Sequence, residues 1–330
     1  MAKFKAYRIY NEDGKIQARL VDTTLDELDP GEVVFRTAFS NVNYKDALAA
    51  TGAGKIIRRF PCIGGVDASG TVISSTDPSI KEGEQVICTS FDLGVAHDGG
   101  YSEYVRVPSA WVVRLPAGLT LFEAMAVGTA GLTAALAVER MEHEGLKQAD
   151  GPVIVTGATG GVASIAIDIL AGAGYNVTAL TGKEGEIDYL KRLGAKEVLL
   201  RSSLDLTRIK PLDKAIWAGA VDNLGGDVLA WLASTMQIGG TLAAIGLAAS
   251  HTLNTTVMPF ILRGVSLLGI DSVNTPMAVR QRVWKRLASD LKPRHLSEMC
   301  NTVTLEQLPA VFEKILKAQA RGRTVVKLAG

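Results

Sequence analysis

Apolar positions along the chain fall into three textures. Residues 1 to about 124 carry short β-type segments parted by glycine turns: Val33 to Phe39, Ala68 to Ser74, Gln85 to Thr89, Tyr104 to Val107 and Trp111 to Leu115. That spacing predicts a compact, mostly antiparallel, barrel-like domain. From Leu121 the pattern changes to a helix over Phe122 to Met141, and strand and helix then alternate to about Ile270. Strands are expected at Val153 to Thr156, Tyr175 to Leu180, Glu197 to Leu200, Ala218 to Asn223, Thr241 to Leu247 and Val265 to Ile270. Strands alternating with helices in this way predict an α/β fold, a doubly wound parallel sheet covered on both faces. Helices near Ala278 to Asp290 and Leu305 to Gln319, and a last strand Arg323 to Leu328, are expected to return to the first domain. The expected division is therefore a β-rich domain over 1–124, completed by 272–330, and an α/β domain over 125–271.

Composition narrows the class of protein. A chain of 330 residues can bury two cores. Its net charge of +1 offers no bulk attraction for nucleic acid or an anionic membrane. The longest uncharged run, Val228 to Leu262, is interrupted by Gly239-Gly240, Asn254 and Pro259. A membrane helix needs about 20 nearly continuous apolar residues, so none is expected there. Cys62, Cys88 and Cys300 lie far apart and form no CxxC pair, which reads as reduced thiols in a cytoplasmic protein. The N-terminus, Met1 to Tyr7, begins a strand and lacks the apolar core of a signal peptide.

The first chemical signal is the stretch from Val153 to Ala163. Four β-branched residues run into a turn with Gly157, Gly160 and Gly161, and an apolar helix follows through Leu170. A strand, glycine turn and helix in that order aim unpaired backbone N–H groups and a positive dipole end at a pyrophosphate. An ordinary tight turn between strand and helix has the same composition. The second strand adds discrimination. In a dinucleotide fold its end meets the adenosine ribose, where a carboxylate selects NAD. Here stand Thr181, Gly182 and Lys183, with no carboxylate before Glu184, and Arg201 follows the third strand. Hydroxyl, cation and glycine suit a 2′-phosphate, so NADP(H) is the expected cofactor. The alternative for Lys183 and Arg201 is ordinary solvated charge.

Several segments carry a resemblance. Asn43-Tyr-Lys-Asp46, Gly52 to Arg58, Gly128-Thr-Ala-Gly-Leu-Thr133, Thr256 to Arg263, Gly269-Ile-Asp-Ser272 and Gly322 to Val326 occur in order around the glycine turn. Together they resemble the medium-chain dehydrogenase/reductase superfamily, and within it the zinc-independent acrylyl-CoA reductases, a group also labelled quinone oxidoreductases of the YhdH/YhfP type. One departure is Ala163, where the group carries glycine; slight crowding of the pyrophosphate is expected. The resemblance implies a GroES-like catalytic domain beside a Rossmann domain. It places Asn43 and Asp46 at the nicotinamide and Tyr44 at the cofactor. It also assigns Thr159, Gly160, Gly161 and Val162 to the pyrophosphate, Leu247, Ile270 and Ser272 to the nicotinamide side, and Arg323 near the cofactor. A capped turn entering a helix is an alternative, or additional, role for Asn43 and Asp46. Structural salt bridging is the alternative for Arg323. The resemblance further implies a homodimer through the edge strand 265–270, and a hydrophobic edge invites such pairing.

Residue types argue against a metal. Zinc-dependent relatives place cysteine where Asn43 stands, and a His-Glu pair where Val66-Asp67 follows Gly65; Asn and Val do not replace thiolate and imidazole. His97, His143, His251 and His295 show no ligand spacing. Alcohol oxidation would lack its usual Lewis acid, whereas reduction of an activated C=C bond needs none. The implied reaction is hydride delivery to the β-carbon of acrylyl-CoA or a similar short enoyl-CoA, with enolate charge on the thioester oxygen. Lys55, Arg58 and Arg59 form a basic run suited to the phosphates of coenzyme A, or else a solvated loop. Two alternatives stay open: an NADPH-dependent quinone or enone reductase, and an NADPH-binding regulatory or structural protein.

Overall fold

The computed structural model describes residues 3–328; Met1-Ala2 of the expected N-terminal strand and Ala329-Gly330 at the far end lie outside the described residues. Strands β1 (Phe4–Glu12) and β2 (Lys15–Thr23) form an antiparallel hairpin, turned at Asp13 and Gly14, which both take positive φ. Strand β3 (Val33–Val42) runs into helix α1 (Tyr44–Thr51). Then follow β4 (Cys62–Ile63), β5 (Asp67–Ser75), β6 (Gln85–Thr89), β7 (Tyr104–Val107) and β8 (Val112–Arg114). β4 pairs with β1, making a three-stranded antiparallel sheet. Alternation along β3 and β5 turns Val33, Phe35, Ala68 and Val72 into a core shared with Val86, Val105 and Val107.

Helix α2 (Leu121–His143) departs from the expected unbroken helix over 122–141. It is two helical pieces, joined at Gly128 with φ 51° and ψ −156°. By length and apolar composition α2 could cross a membrane, but 78% of its apolar stretch is buried inside the molecule, as in the core helix of a globular protein.

The second compact body is built on six parallel strands: β9 (Pro152–Thr156), β10 (Asn176–Thr181), β11 (Glu197–Leu200), β12 (Trp217–Asp222), β13 (Met236–Ala244) and β14 (Ser266–Gly269). Their order is β11-β10-β9-β12-β13-β14. The order reverses between β9 and β12, the switch point where such sheets bind ligands. Helices α3 (Gly161–Gly172), α4 (Ile187–Arg192), α5 (Gly226–Thr235) and α6 (Met258–Arg263) fill four of the five connections, while that from β11 to β12 holds only a 3-10 turn at Arg201–Ser203. The second strand starts one residue later than expected, because Tyr175 N–H still closes the end of α3 on Leu170 O. The fifth starts at Met236 rather than Thr241. It absorbs Gly239, at φ 73°, through a register shift against β12. It also ends early: the N–H groups of Ile245 and Gly246 both turn onto Asp222 O, leaving Leu247 in a loop.

The C-terminal stretch supplies α7 (Met277–Leu287), α8 (Leu296–Met299), β15 (Cys300–Val303), α9 (Leu308–Leu316) and β16 (Arg323–Lys327). β16 pairs antiparallel with β3, and β15 parallel with β16, extending the sheet β15-β16-β3-β5-β6-β8. The expected helix to Gln319 stops at Leu316, because Ala318 takes φ 55° while Gln319 N–H bonds back to Lys314 O. One compact unit comprises residues up to Thr129, Val273–Ala288 and the chain from Leu296; the other comprises Ala130–Ser272 and Ser289–His295.

Candidate functional site

The glycine turn leaves β9 at Thr156 and enters α3 at Gly161. Gly157 takes φ 60°, a conformation that side chains other than glycine rarely adopt. Gly160 is the N-cap, and no side chain caps the helix. A Cβ on Gly160 would sit 3.2 Å from Gly157 O, a tight contact that would require the turn to give by a few tenths of an ångström. The first-turn N–H groups of Gly161, Val162 and Ala163 therefore face an uncapped, positive helix end, which fits a pyrophosphate. Thr159 is almost buried. Ala163 is 1% exposed, so its methyl packs inward and the expected crowding of a pyrophosphate is corrected: the extra carbon is spent inside the protein.

The switch point is held by a residue not singled out from the sequence. Asp222, wholly buried at the end of β12, accepts from Thr156 Oγ1 at 2.7 Å and from Gly225 N–H at 2.7 Å. Burial pushes its carboxyl above the ordinary value, against these hydrogen bonds. Asn223 completes the joint, donating from N–H to Thr156 Oγ1 and from Nδ2 to Thr156 O, each at 2.9 Å. The available signal was a lone carboxylate ending the apolar strand Trp217 to Val221.

At the end of β10, the Thr181 hydroxyl accepts from Lys183 N–H at 3.0 Å. Gly182 is exposed, with nothing within 4 Å of where a Cβ would lie. Arg201 is exposed immediately after β11, whose Leu200 is the register partner of Thr181. These three positions and Arg201 thus share the carboxyl edge of β10 and β11. Leu247 is 66% exposed, Ile270 is half-buried with its N–H on Ala244 O at 3.1 Å, and Ser272 accepts from Thr133 Oγ1 at 2.9 Å.

In the other unit, polar side chains converge where β3, β5, β16 and α2 meet. Asn43 stands at the N-cap of α1, and its N–H donates to Asp46 Oδ2 at 2.8 Å. Its amide does not cap the helix. Nδ2 donates to Asn41 Oδ1 at 2.8 Å and Asp67 Oδ2 at 3.0 Å, and Oδ1 accepts from Arg323 Nη1 at 3.2 Å. Asp67 also accepts from Thr129 N–H at 2.8 Å and from the Thr129 hydroxyl. Arg323, 3% exposed, donates to Ala126 O at 2.9 Å and Val42 O at 3.3 Å. Asn41 donates to Met125 O at 3.0 Å. Met125 O and Ala126 O, together with Thr129 N–H, are backbone groups beside the Gly128 break, so this network satisfies the interrupted helix. Asp46 accepts a further bond from Val66 N–H at 3.1 Å. Burial, with Asp67 as a smaller like-charge contribution, pushes Asp46 up to about 7. Tyr44, by contrast, is 54% exposed on the first turn of α1. Asn41, Asp67 and Thr129 were not assigned from sequence; nothing in their spacing marks them, since partners lie up to 84 residues apart.

The basic run is not a free cationic cluster. Arg58 pairs with Asp92; Arg59 pairs with Asp29, lies 3.7 Å from Asp98, and donates to Ala96 O. Lys55 is exposed. The expectation of three cations awaiting phosphate is corrected to this extent: two are balanced by carboxylates of their own chain. Among the described residues, no three His, Cys, Asp or Glu side chains are grouped to hold a metal ion.

Comparison with known proteins adds a relationship to this geometry. Residues 29–117 match the model of the alcohol dehydrogenase GroES-like domain, and 161–289 that of the zinc-binding dehydrogenases. The chain is 47% identical to the acrylyl-CoA reductase AcuI of Ruegeria pomeroyi over 315 residues, 96% of each. Its structure is similar to that of the yhdH oxidoreductase from Salmonella enterica in complex with NADP, with TM-score 0.96, 45% identity, and 98% of this chain and 100% of that one covered. It is also similar to the Bacillus subtilis protein yhfP with NAD bound, at TM-score 0.97 and 47% identity, covering 99% and 100%.

Proposed function

This chain belongs to the zinc-independent acrylyl-CoA reductase and quinone oxidoreductase group of the medium-chain dehydrogenase/reductase family, and from that premise we propose that it reduces the C=C bond of acrylyl-CoA or a similar short enoyl-CoA with NADPH. The observation that carries the cofactor half is the uncapped glycine turn beside an edge that offers Thr181, Gly182 and Lys183 and no carboxylate. Gly160, Gly161 and Val162 would hold the pyrophosphate, and Thr159 would shape the turn. Thr181, Gly182, Lys183 and Arg201 would take the 2′-phosphate. Leu247, Ile270 and Ser272 are assigned to the nicotinamide side. When bound, the reduced nicotinamide supplies the hydride.

Asn43, Tyr44 and Asp46 are the residues assigned to the reaction side. Both Asn43 Nδ2 hydrogens already have acceptors, so Asn43 acts by ordering its surroundings more than by donating to a thioester oxygen. Asp46, held near 7 by burial, can keep a proton at neutral pH. Exposed Tyr44 supplies an accessible ring and hydroxyl. Arg323 serves the network around Asn43, and the family assignment near the cofactor stands beside that role.

One observation favours a second reading, an NADPH-dependent quinone or enone reductase: Arg58 and Arg59 are engaged by acids, which leaves the coenzyme A clamp resting on Lys55. The test is a spectrophotometric comparison of acrylyl-CoA, crotonyl-CoA and a simple quinone with NADPH. Acrylyl-CoA is expected to give the highest kcat/KM; a quinone turned over far more efficiently than either thioester would install the second reading. A homodimer through 265–270 and a cytoplasmic location, consistent with three unpaired cysteines, complete the proposal.

A further inference from the structure

We propose that Ser164 and Tyr189 are positioning residues that lock the pyrophosphate turn to the 2′-phosphate edge, with Tyr189 contributing to discrimination between NADPH and NADH. The inference rests on the cofactor reading above and extends it to two side chains that touch no expected part of the nucleotide. Tyr189, on α4 and 2% exposed, donates its hydroxyl to Ser164 Oγ at 3.0 Å. Ser164, on α3 and wholly buried, donates to Ala158 O at 3.3 Å, inside the glycine turn. The same turn is tied to β10, because Ala158 N–H donates to Leu180 O at 3.1 Å.

Leu180 precedes Thr181, whose hydroxyl holds Lys183 N–H, and Glu186 N–H then bonds to Lys183 O at 3.2 Å just before α4 begins. These bonds close a circuit: turn 157–160, strand end 180–183, helix α4, Tyr189, Ser164, and back to Ala158. A ring of hydrogen bonds whose Ala158, Ser164, Leu180 and Tyr189 members are buried holds them in one mutual geometry. The Tyr189 ring would pack without its hydroxyl, so packing alone does not explain a phenol there rather than a phenyl. Loss of that hydroxyl removes one tie between α4 and the glycine turn but leaves the Ala158 N–H and Ser164 bonds in place. Only a nucleotide that uses Lys183 should register this change. Loss of the Ser164 hydroxyl, which removes both the bond to Ala158 O and the acceptor of Tyr189, should register with either nucleotide.

The test is fluorescence titration of NADPH and NADH into wild-type protein, Tyr189→Phe and Ser164→Ala, which reads binding without turnover. For Tyr189→Phe the NADPH Kd is expected to rise about fivefold, the worth of one ordinary hydrogen bond, and the NADH Kd less than about twofold. For Ser164→Ala, which also removes the acceptor of Tyr189, both constants are expected to rise about fivefold or more, NADPH the more. An unchanged NADPH to NADH ratio in Tyr189→Phe, or unchanged constants in Ser164→Ala, overturns the proposal. If Tyr189→Phe does not fold, Ser164→Ala decides alone by the same criterion. Wild-type protein that binds neither nucleotide would instead remove the cofactor reading itself, a result distinct from both.

Discussion

Asn43 and Asp46 show how far residue types alone reach. Their spacing reads as a capped turn, and half of that cap exists: Asp46 accepts the Asn43 N–H, while the Asn43 amide is drawn away to Asn41, Asp67 and Arg323. Local sequence announces the bond that closes over three residues. It is silent about the diversion, whose partners beyond Asn41 arrive from β5 and β16. The burial that follows has a thermodynamic consequence. Asp46 is raised from 3.8 to about 7, so the folded state retains a proton that the unfolded state has released. Stability from this group is therefore present below about pH 4 and is lost as pH rises to about 7. Asp46→Asn should flatten that slope, a change of at most about 4 kcal/mol between the two ends. Denaturant unfolding of both proteins at pH 5 and pH 8 measures it; identical pH dependence in the two would contradict the burial argument.

At the scale of elements, the strands and helices that follow from period and turn chemistry were readable, and those shaped by distant partners were not. The order of β9 to β14 follows from alternating strand and helix patterns, since right-handed crossovers leave few ways to wind them. The start of β13 at Met236 was hidden by Gly239-Gly240, which reads as a break but is absorbed by a shift against β12. The interruption of α2 was hidden for the opposite reason. Gly128 lies in a helix-compatible run, and Asn41, Asp67 and Arg323 make the break tenable by taking backbone groups beside it. A Cβ at Gly128 would lie 2.2 Å from Asn41 Nδ2 and 2.7 Å from Asp67 Oδ2, at a positive φ. Gly128→Ala is accordingly expected to cost about 3 kcal/mol or more, read as a lowered Tm. A variant as stable as wild type would mean that the helix can run straight.

For the whole molecule, the family and its two-part design were legible because six motifs span nearly the entire chain. The basic run at 55–59 was not legible as it stands, because Asp29, Asp92 and Asp98 reach it from outside its own segment. The proposed homodimer rests on a sheet edge: among the described residues β14 pairs with β13 on one side only, Leu267 on it is 39% exposed, and Val257, Ile261 and Leu262 on and beside α6 are exposed. Light scattering should give a dimer, and Leu267→Glu with Ile261→Glu a monomer; a monomeric wild type would end the edge-pairing proposal. More consequential is the proposal that the carboxyl edge of β10 and β11 holds a phosphorylated nicotinamide nucleotide. Titration of NADPH and NADH into wild type and Lys183→Glu tests it most directly. NADPH is predicted to bind wild type about tenfold more tightly than NADH, with Lys183→Glu erasing most of that difference. Equal affinity for the two nucleotides in wild type, or equal losses in the variant, would contradict it.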